Sequence, residues 1–352
     1  MSTTPPLSRR RFLGLAGGAA AVTGLAGAGA ALGASPTVTG TLPRTKLGAQ
    51  LWNCEALHMA DGPETLAALA EIGYAYVEFA GQGYGSLTSS DVATGRLGMS
   101  AKAFRKALDD NGLWCLSGQG PAPYPYDDRT WKSWVEDNLV IGTKVLANNT
   151  GFPNRYADCR RYADAVHKAH DVARRMGYQG YLATHLDAPG SYWGTLLDRP
   201  GTYAYAAVLQ HTSPEAFNVQ LDSGNAYTAL GSVKAVIKQV RAHPGRWPLH
   251  HFKDCVPNVF LPDGSWLPPG GPAVTPAFGA GVWSMPDLAD PKGRPHAGFQ
   301  DLMTAIRETQ DWSQVYVTTE SNGSQATCVD YSLMAYQGLN GLRYPYRPRR
   351  KS

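Results

Sequence analysis

Three residues of the 352-residue chain pair metal-ligating chemistry with one kind of position. Asp222 in Gln-Leu-Asp-Ser-Gly-Asn, His251 in His-His-Phe-Lys-Asp and Glu320 in Val-Thr-Thr-Glu-Ser-Asn each stand near the end of a short apolar run. Two carboxylates and one imidazole make a mixed oxygen and nitrogen set suited to a divalent ion such as Mn²⁺, Mg²⁺, Co²⁺ or Zn²⁺. Taken singly, each residue reads as a structural polar group or a salt-bridge partner. Taken at equivalent strand ends, the three read as one site.

The elements that must carry them follow from periodicity. Strands are expected near Leu47–Trp52, Tyr74–Phe79, Leu113–Ser117, Lys144–Asn148, Gly180–His185, Ala216–Asp222, Trp247–Lys253 and Gln314–Glu320, each followed by a segment with helical character. Val233, Val236, Ile237 and Val240 form an amphipathic stripe, as do Ala165, Val166, Ala169, Val172, Ala173 and Met176. Ala101–Asn111 ends at Gly112, a helix stop. Eight βα repeats predict an α/β fold, a (β/α)8 TIM barrel over residues 45–340. A doubly wound sheet is disfavoured because no Gly-rich phosphate turn follows the first strand. Strand parity agrees with the barrel: Asn218, Gln220 and Asp222 share one face, as do His251 and Lys253, and Tyr316, Thr318 and Glu320. Active sites in this fold are built at the carboxyl ends of the strands. The Pro- and Gly-rich connection 256–297 is expected as a long loop over that rim.

The net charge of +4 does not describe the working surface. Residues 1–34 carry three Arg and no acid, and removing them leaves +1; removing also the five basic residues after Asp330 leaves −4. A basic nucleic-acid surface is not indicated, and residues 341–352 read as a solvated basic tail. Ser8-Arg9-Arg10-Arg11-Phe12-Leu13-Gly14 and the Ala/Gly-rich run after it resemble a twin-arginine export signal over residues 1–34, cleaved after Ala30 or Ala34. That implies a periplasmic or extracellular protein. A membrane anchor is the alternative, but so many Gly and Ala make a weak span. The five cysteines are widely spaced with no C-x-x-C pair, which argues against a zinc ribbon or redox motif.

The sequence resembles the sugar-phosphate isomerase/epimerase family with a xylose isomerase-like barrel, distantly related to endonuclease IV. The resemblance rests on Leu47-Gly48-Ala49-Gln50-Leu51-Trp52, on Leu69–Tyr74 with Val77-Glu78-Phe79-Ala80-Gly81, on Leu249-His250-His251-Phe252-Lys253-Asp254, and on Phe278-Gly279-Ala280-Gly281. It implies divalent metal ligation by Asp222, His251 and Glu320. The chain departs from the family on the fifth strand, Tyr181–Asp187, where Ala183 stands at a place often held by a ligand. His185, of the same parity, would replace it as fourth ligand or act as a base, and Asp187 is the other candidate. Gln119 takes a place where the family often has His. These changes disfavour ordinary epimerisation, which by analogy uses two opposed carboxylates.

A divalent ion can hold the oxygens of a keto-sugar and stabilise an enediolate, while Glu320 or His185 removes the proton beside the carbonyl. Lys253 is expected either to stabilise oxyanion charge or to form an ion pair with Glu320 or Asp254. Glu78, Gln119, Trp52 and Trp193 are candidate substrate contacts, with Glu78 the one also expected to support a ligand by hydrogen bonding. His167 and His170 read as solvated, His250 as structural, and His58 as a weak rim candidate. Tyr84, Tyr124, Tyr126, Trp266 and Trp283 could stack on a sugar, although ordinary packing suits each one singly. No basic cluster supports a phosphorylated substrate. The expected function is therefore a metal-dependent isomerase/epimerase acting on a non-phosphorylated sugar. A lyase cleaving a keto-glycoside by β-elimination, a non-catalytic carbohydrate-binding barrel and a phosphodiesterase are the alternatives.

Overall fold

The computed structural model describes residues 38–51, 62–80, 99–187, 192–255, 283, 298–320 and 328–346. Eight parallel strands close a barrel: β2 (Leu47–Gln50), β3 (Tyr76–Ala80), β4 (Trp114–Gly120), β5 (Val145–Asn148), β6 (Tyr181–Leu186), β7 (Phe217–Asp222), β8 (Leu249–Phe252) and β9 (Tyr316–Thr319), with β9 pairing back to β2. The expected barrel is present, and its strands lie within two or three residues of the predicted ones. Around it run α1 (Gly62–Ile72), α2 (Ala101–Asp110), α3 (Asp128–Ile141), α4 (Tyr156–Arg175), α5 (Ala204–Leu209), α6 (Ser223–Leu230), α7 (Val233–Ala242), α8 (Phe299–Thr309) and α9 (Cys328–Asn340). Among the described residues no helix is long and apolar enough to cross a membrane.

Local chemistry fixes where these elements start and stop. Ser100 and Asp127 cap α2 and α3 by accepting from the N–H groups of Ala103 and Thr130. Gly142 ends α3 in the left-handed region, at φ 79°, so that the chain can turn at once into β5. Strands buried on both faces read as continuous apolar runs interrupted by inward polar residues. In β7, Phe217, Val219 and Leu221 join the main core, while Gln220 and Asp222 alternate with them.

The amino-terminal end of the barrel is plugged by aromatic rings. Tyr76 lies 4.8 Å from Trp114 and 5.7 Å from Tyr316, centroid to centroid, and Lys144 Nζ caps Trp114 at 4.2 Å. Gly48 makes this packing possible, since a Cβ there would overlap the Tyr76 ring.

Two features were not foreseen. The β3–β4 register shifts between Val77 and Glu78, so that Val77 faces Cys115 but Glu78 faces Ser117. This bulge turns Ser117 inward. The expected basic tail is also partly strand: Arg343–Tyr346 (β10) pairs antiparallel with Val38–Thr41 (β1). The proposed export segment 1–34, Trp52, His58, Tyr84, Trp266, the Phe278–Gly281 motif, residues 347–352 and the 256–297 loop apart from Trp283 lie outside the described residues.

Gly48→Ala is expected to destabilise the fold by about 1–3 kcal/mol, the usual cost of overpacking a full core. Chemical denaturation checks this, and an unchanged midpoint would mean that the ring can yield.

Candidate metal centre

Four side chains from consecutive strands β6 to β9 meet at the carboxyl end of the barrel. His185, Asp222, His251 and Glu320 are all buried, and one donor atom from each lies within 4.8 Å of the others. The strand parity that predicted Asp222, His251 and Glu320 together holds, and His185 joins them. Asp187 does not, because both of its oxygens accept from amides, those of Asn149 and Asn225.

Each donor is aimed by a partner behind it. Asp222 ends β7 and caps α6, with Oδ1 accepting from the Asn225 N–H at 2.7 Å. Its Oδ2 faces His185 Nε2 at 3.7 Å and Lys253 Nζ at 3.4 Å. Glu320 gives Oε1 to Lys253 Nζ at 2.9 Å, and its Oε2 lies against His251 Nδ1 and 3.8 Å from His185 Nε2. His251 donates from Nε2 to Glu78 Oε2 at 2.9 Å, so Nδ1 is the nitrogen turned toward the cluster. A carboxylate behind a metal-binding imidazole fixes the tautomer in this way.

Glu78 is the residue whose role the sequence left widest. It is fully buried, and Ser117, Gln220, His251 and Thr318 all donate to it. With its oxygens so engaged it stands behind His251, the hydrogen-bonding role also expected of it. The β4 bulge, which brings Ser117 to face it, has no signal in the sequence.

Other candidates fall elsewhere. Trp193 packs in the helix layer, stacked on Trp247 and edge-on to Tyr205, so it presents no face to a sugar at the mouth. Trp283 is buried, stacks on Phe299, and donates from Nε1 to the Ser223 carbonyl at 3.1 Å. Gln119 is buried near the end of β4, beside Ala80 and Ala147, on the site's side of the barrel. Lys253 pairs with Glu320 as one alternative held, but with Asp222 rather than Asp254 as its second partner; Asp254 accepts instead from the Cys255 and Trp283 N–H groups. His167 and His170 are both half-buried, and His167 meets the His211 carbonyl. His250 is fully buried in β8, and burial pushes its ring down to about 3.

The electrostatics are those of a crowded site. Burial opposes a charge on His251, yet Glu320 and Glu78 on either side push its ring up to about 10. Burial would raise the Glu320 carboxyl, but Lys253 and His251 hold it well below the usual carboxylate range. Burial alone would lower the Lys253 ammonium, whereas Asp222 and Glu320 raise it. A lysine held charged in this way is no imine-forming nucleophile.

The donor set fits a divalent ion. Neither nitrogen of His185 has a hydrogen-bond partner, though both are buried. Its Nε2 is too far from the two carboxylates for a direct bond, which leaves that nitrogen open either to an ion or to a substrate proton. Charge agrees: with His251 neutral, Glu78, Asp222 and Glu320 against Lys253 leave two negative charges, the complement of one divalent ion.

No protein-family model and no curated protein matches the sequence. Solved structures match the fold. A sugar phosphate isomerase/epimerase from Parabacteroides distasonis aligns over 84% of this chain and 94% of its own, with TM-score 0.56 and 18% identity. The IolI protein, solved with a bound zinc atom, aligns over 83% and 96%, with TM-score 0.55 and 15% identity. A xylose isomerase-like TIM barrel protein from Mycobacterium smegmatis in complex with magnesium aligns over 84% and 96%, with TM-score 0.51 and 13% identity. The chain has the xylose isomerase-like TIM-barrel fold.

The raised His251 ring stabilises the metal-free fold below its ordinary value of 6.5, and that contribution is lost as pH rises through about 10. The lowered Glu78 and Glu320 carboxyls act oppositely, stabilising above 4.5 and failing on acidification. The melting temperature of metal-free protein should therefore fall from pH 6.5 toward pH 10; a flat profile at constant ionic strength would contradict this.

Proposed function

We propose that the protein is an exported, divalent-metal-dependent sugar isomerase acting on a non-phosphorylated sugar or keto-sugar. The observation that carries this reading is the buried cluster of Asp222, His251 and Glu320 with another buried imidazole, His185, beside it. Asp222, His251 and Glu320 would hold the ion. When bound, the ion supplies Lewis-acid polarisation of a carbonyl oxygen and charge stabilisation on a neighbouring hydroxyl oxygen. The zinc and magnesium held by structural neighbours support a divalent ion in such a barrel.

The rest is done by the chain's own groups. His251 would offer Nδ1 to the ion in its neutral form, with the proton on Nε2 held by Glu78. His185 removes the proton beside the carbonyl, its buried Nε2 standing 3.7 Å from Asp222 and 3.8 Å from Glu320 with no direct bond to either. Glu320, held strongly acidic by Lys253 and His251, is the weaker base. Lys253 spends two N–H groups on Asp222 and Glu320, and the third meets the substrate oxygen on which negative charge develops. Its charge is already matched by carboxylates, which supports a neutral substrate over a phosphorylated one. The twin-arginine segment supports export.

Ala183 favours one alternative outcome. It puts a methyl group on the inward face of β6, where a second acid/base group would serve epimerisation. A single base suffices to move a proton between adjacent carbons on one face, or to expel a leaving group from the next carbon. A lyase cleaving a keto-glycoside is therefore the second reading.

In D₂O, isomerisation gives product with solvent deuterium on an intact skeleton, read by NMR, whereas a released aglycone replaces this reading by the lyase. His185→Ala should lower kcat by about 10²–10⁴ while the purified protein keeps its metal. Loss of metal from that variant would make His185 a ligand. Chelation should abolish turnover, and added divalent ion should restore it.

A further inference from the structure

We propose that Asp187 is a positioning residue that sets the aim of Asp222 by gripping Asn225, an assignment that rests on reading Asp222 as an ion ligand. Asp187 directly follows β6, and its carboxylate is divided between two amides. Oδ1 accepts from Asn225 Nδ2 and Oδ2 from Asn149 Nδ2, each at 2.9 Å. Asn225 is buried in the first turn of α6, and its backbone N–H donates to Asp222 Oδ1. One asparagine is thus held from two sides, its side chain by Asp187 and its main chain by Asp222.

The consequence falls on the geometry of Asp222. A carboxylate with one oxygen tied to a fixed N–H has a single orientation, and here it points Oδ2 at His185 and Lys253. Asn149 follows β5, so the clasp also joins the carboxyl ends of three adjacent strands, β5, β6 and β7. Only an acceptor on both sides serves at position 187, because both neighbours present N–H₂ groups. An amide there would set donor against donor on one side, or oblige Asn149 or Asn225 to turn over and change its grip. Without the clasp, the first turn of α6 loses its side-chain anchor, and Asp222 is free to turn both oxygens to Lys253. Partners behind metal ligands typically govern affinity by about 10- to 100-fold.

The test is Zn²⁺ affinity of the full chain, measured by competition with a chromogenic chelator, with the fold checked by circular dichroism. Asp187→Asn should weaken Zn²⁺ binding by about 10- to 100-fold with the fold retained. The exchange Asp187→Asn with Asn225→Asp restores one donor facing one acceptor, and should recover affinity toward wild type, which a general packing role would not do. Wild-type affinity in D187N, or no recovery in the exchange variant, overturns the proposal. If D187N does not fold, the exchange variant decides alone: recovered affinity supports the clasp and weak binding overturns it. If the wild-type chain itself binds no Zn²⁺ or other divalent ion, the metal reading fails first and takes this assignment with it, a result distinct from the other two.

Discussion

Charge shut away from water is the constraint around which the barrel's upper end is organised. Glu78, Asp222, His251, Lys253 and Glu320 are all buried, where an unmatched ion is very costly and an unmet hydrogen bond costs several times less but still counts. The arrangement meets this cost by pairing. Glu78 collects donors from four strands, Lys253 joins two carboxylates, and Asp222 borrows the first turn of a helix. Each partner that lowers the cost also removes a degree of freedom, so the same contacts that make burial tolerable make the geometry fixed.

The two ends of the barrel divide the labour. At the amino-terminal end, Tyr76, Trp114 and Tyr316 fill the interior with rings, and Gly48 gives way to make room. At the other end polar groups take over, and Thr318 links the two zones, donating to Glu78 and lying 3.3 Å from the Tyr76 hydroxyl. Rigidity is thus supplied from below, where nothing need move, to a site above that has to hold donor atoms within fractions of an ångström.

Much of this was legible in the sequence because the period of a strand is two. Knowing that Asp222, His251 and Glu320 share parity with their strands' inward faces is enough to bring them together once the barrel closes. Parity fails where a strand is irregular: the bulge in β4 reverses which residues face inward, and no local composition marks it. Nor does a residue type say how many partners surround it. Glu78 and Trp193 both read as substrate contacts; in the fold Glu78 stands behind an imidazole and Trp193 between aromatic rings of the helix layer. Asp187 stands near the site, but whether it faces an ion or two amides depends on Asn149, just past β5, and Asn225, in the first turn of α6.

The pairing of β1 with β10 has a bearing on the order of events in the cell. The first described strand, Val38–Thr41, finds its partner only at Arg343–Tyr346, beyond all eight barrel strands, so this contact has a long loop to close. A chain still being synthesised can assemble βα units in turn, but it cannot fasten this clasp until Tyr346 has left the ribosome. The Val38–Thr41 strand therefore stays unpaired until every barrel strand between the two has been made.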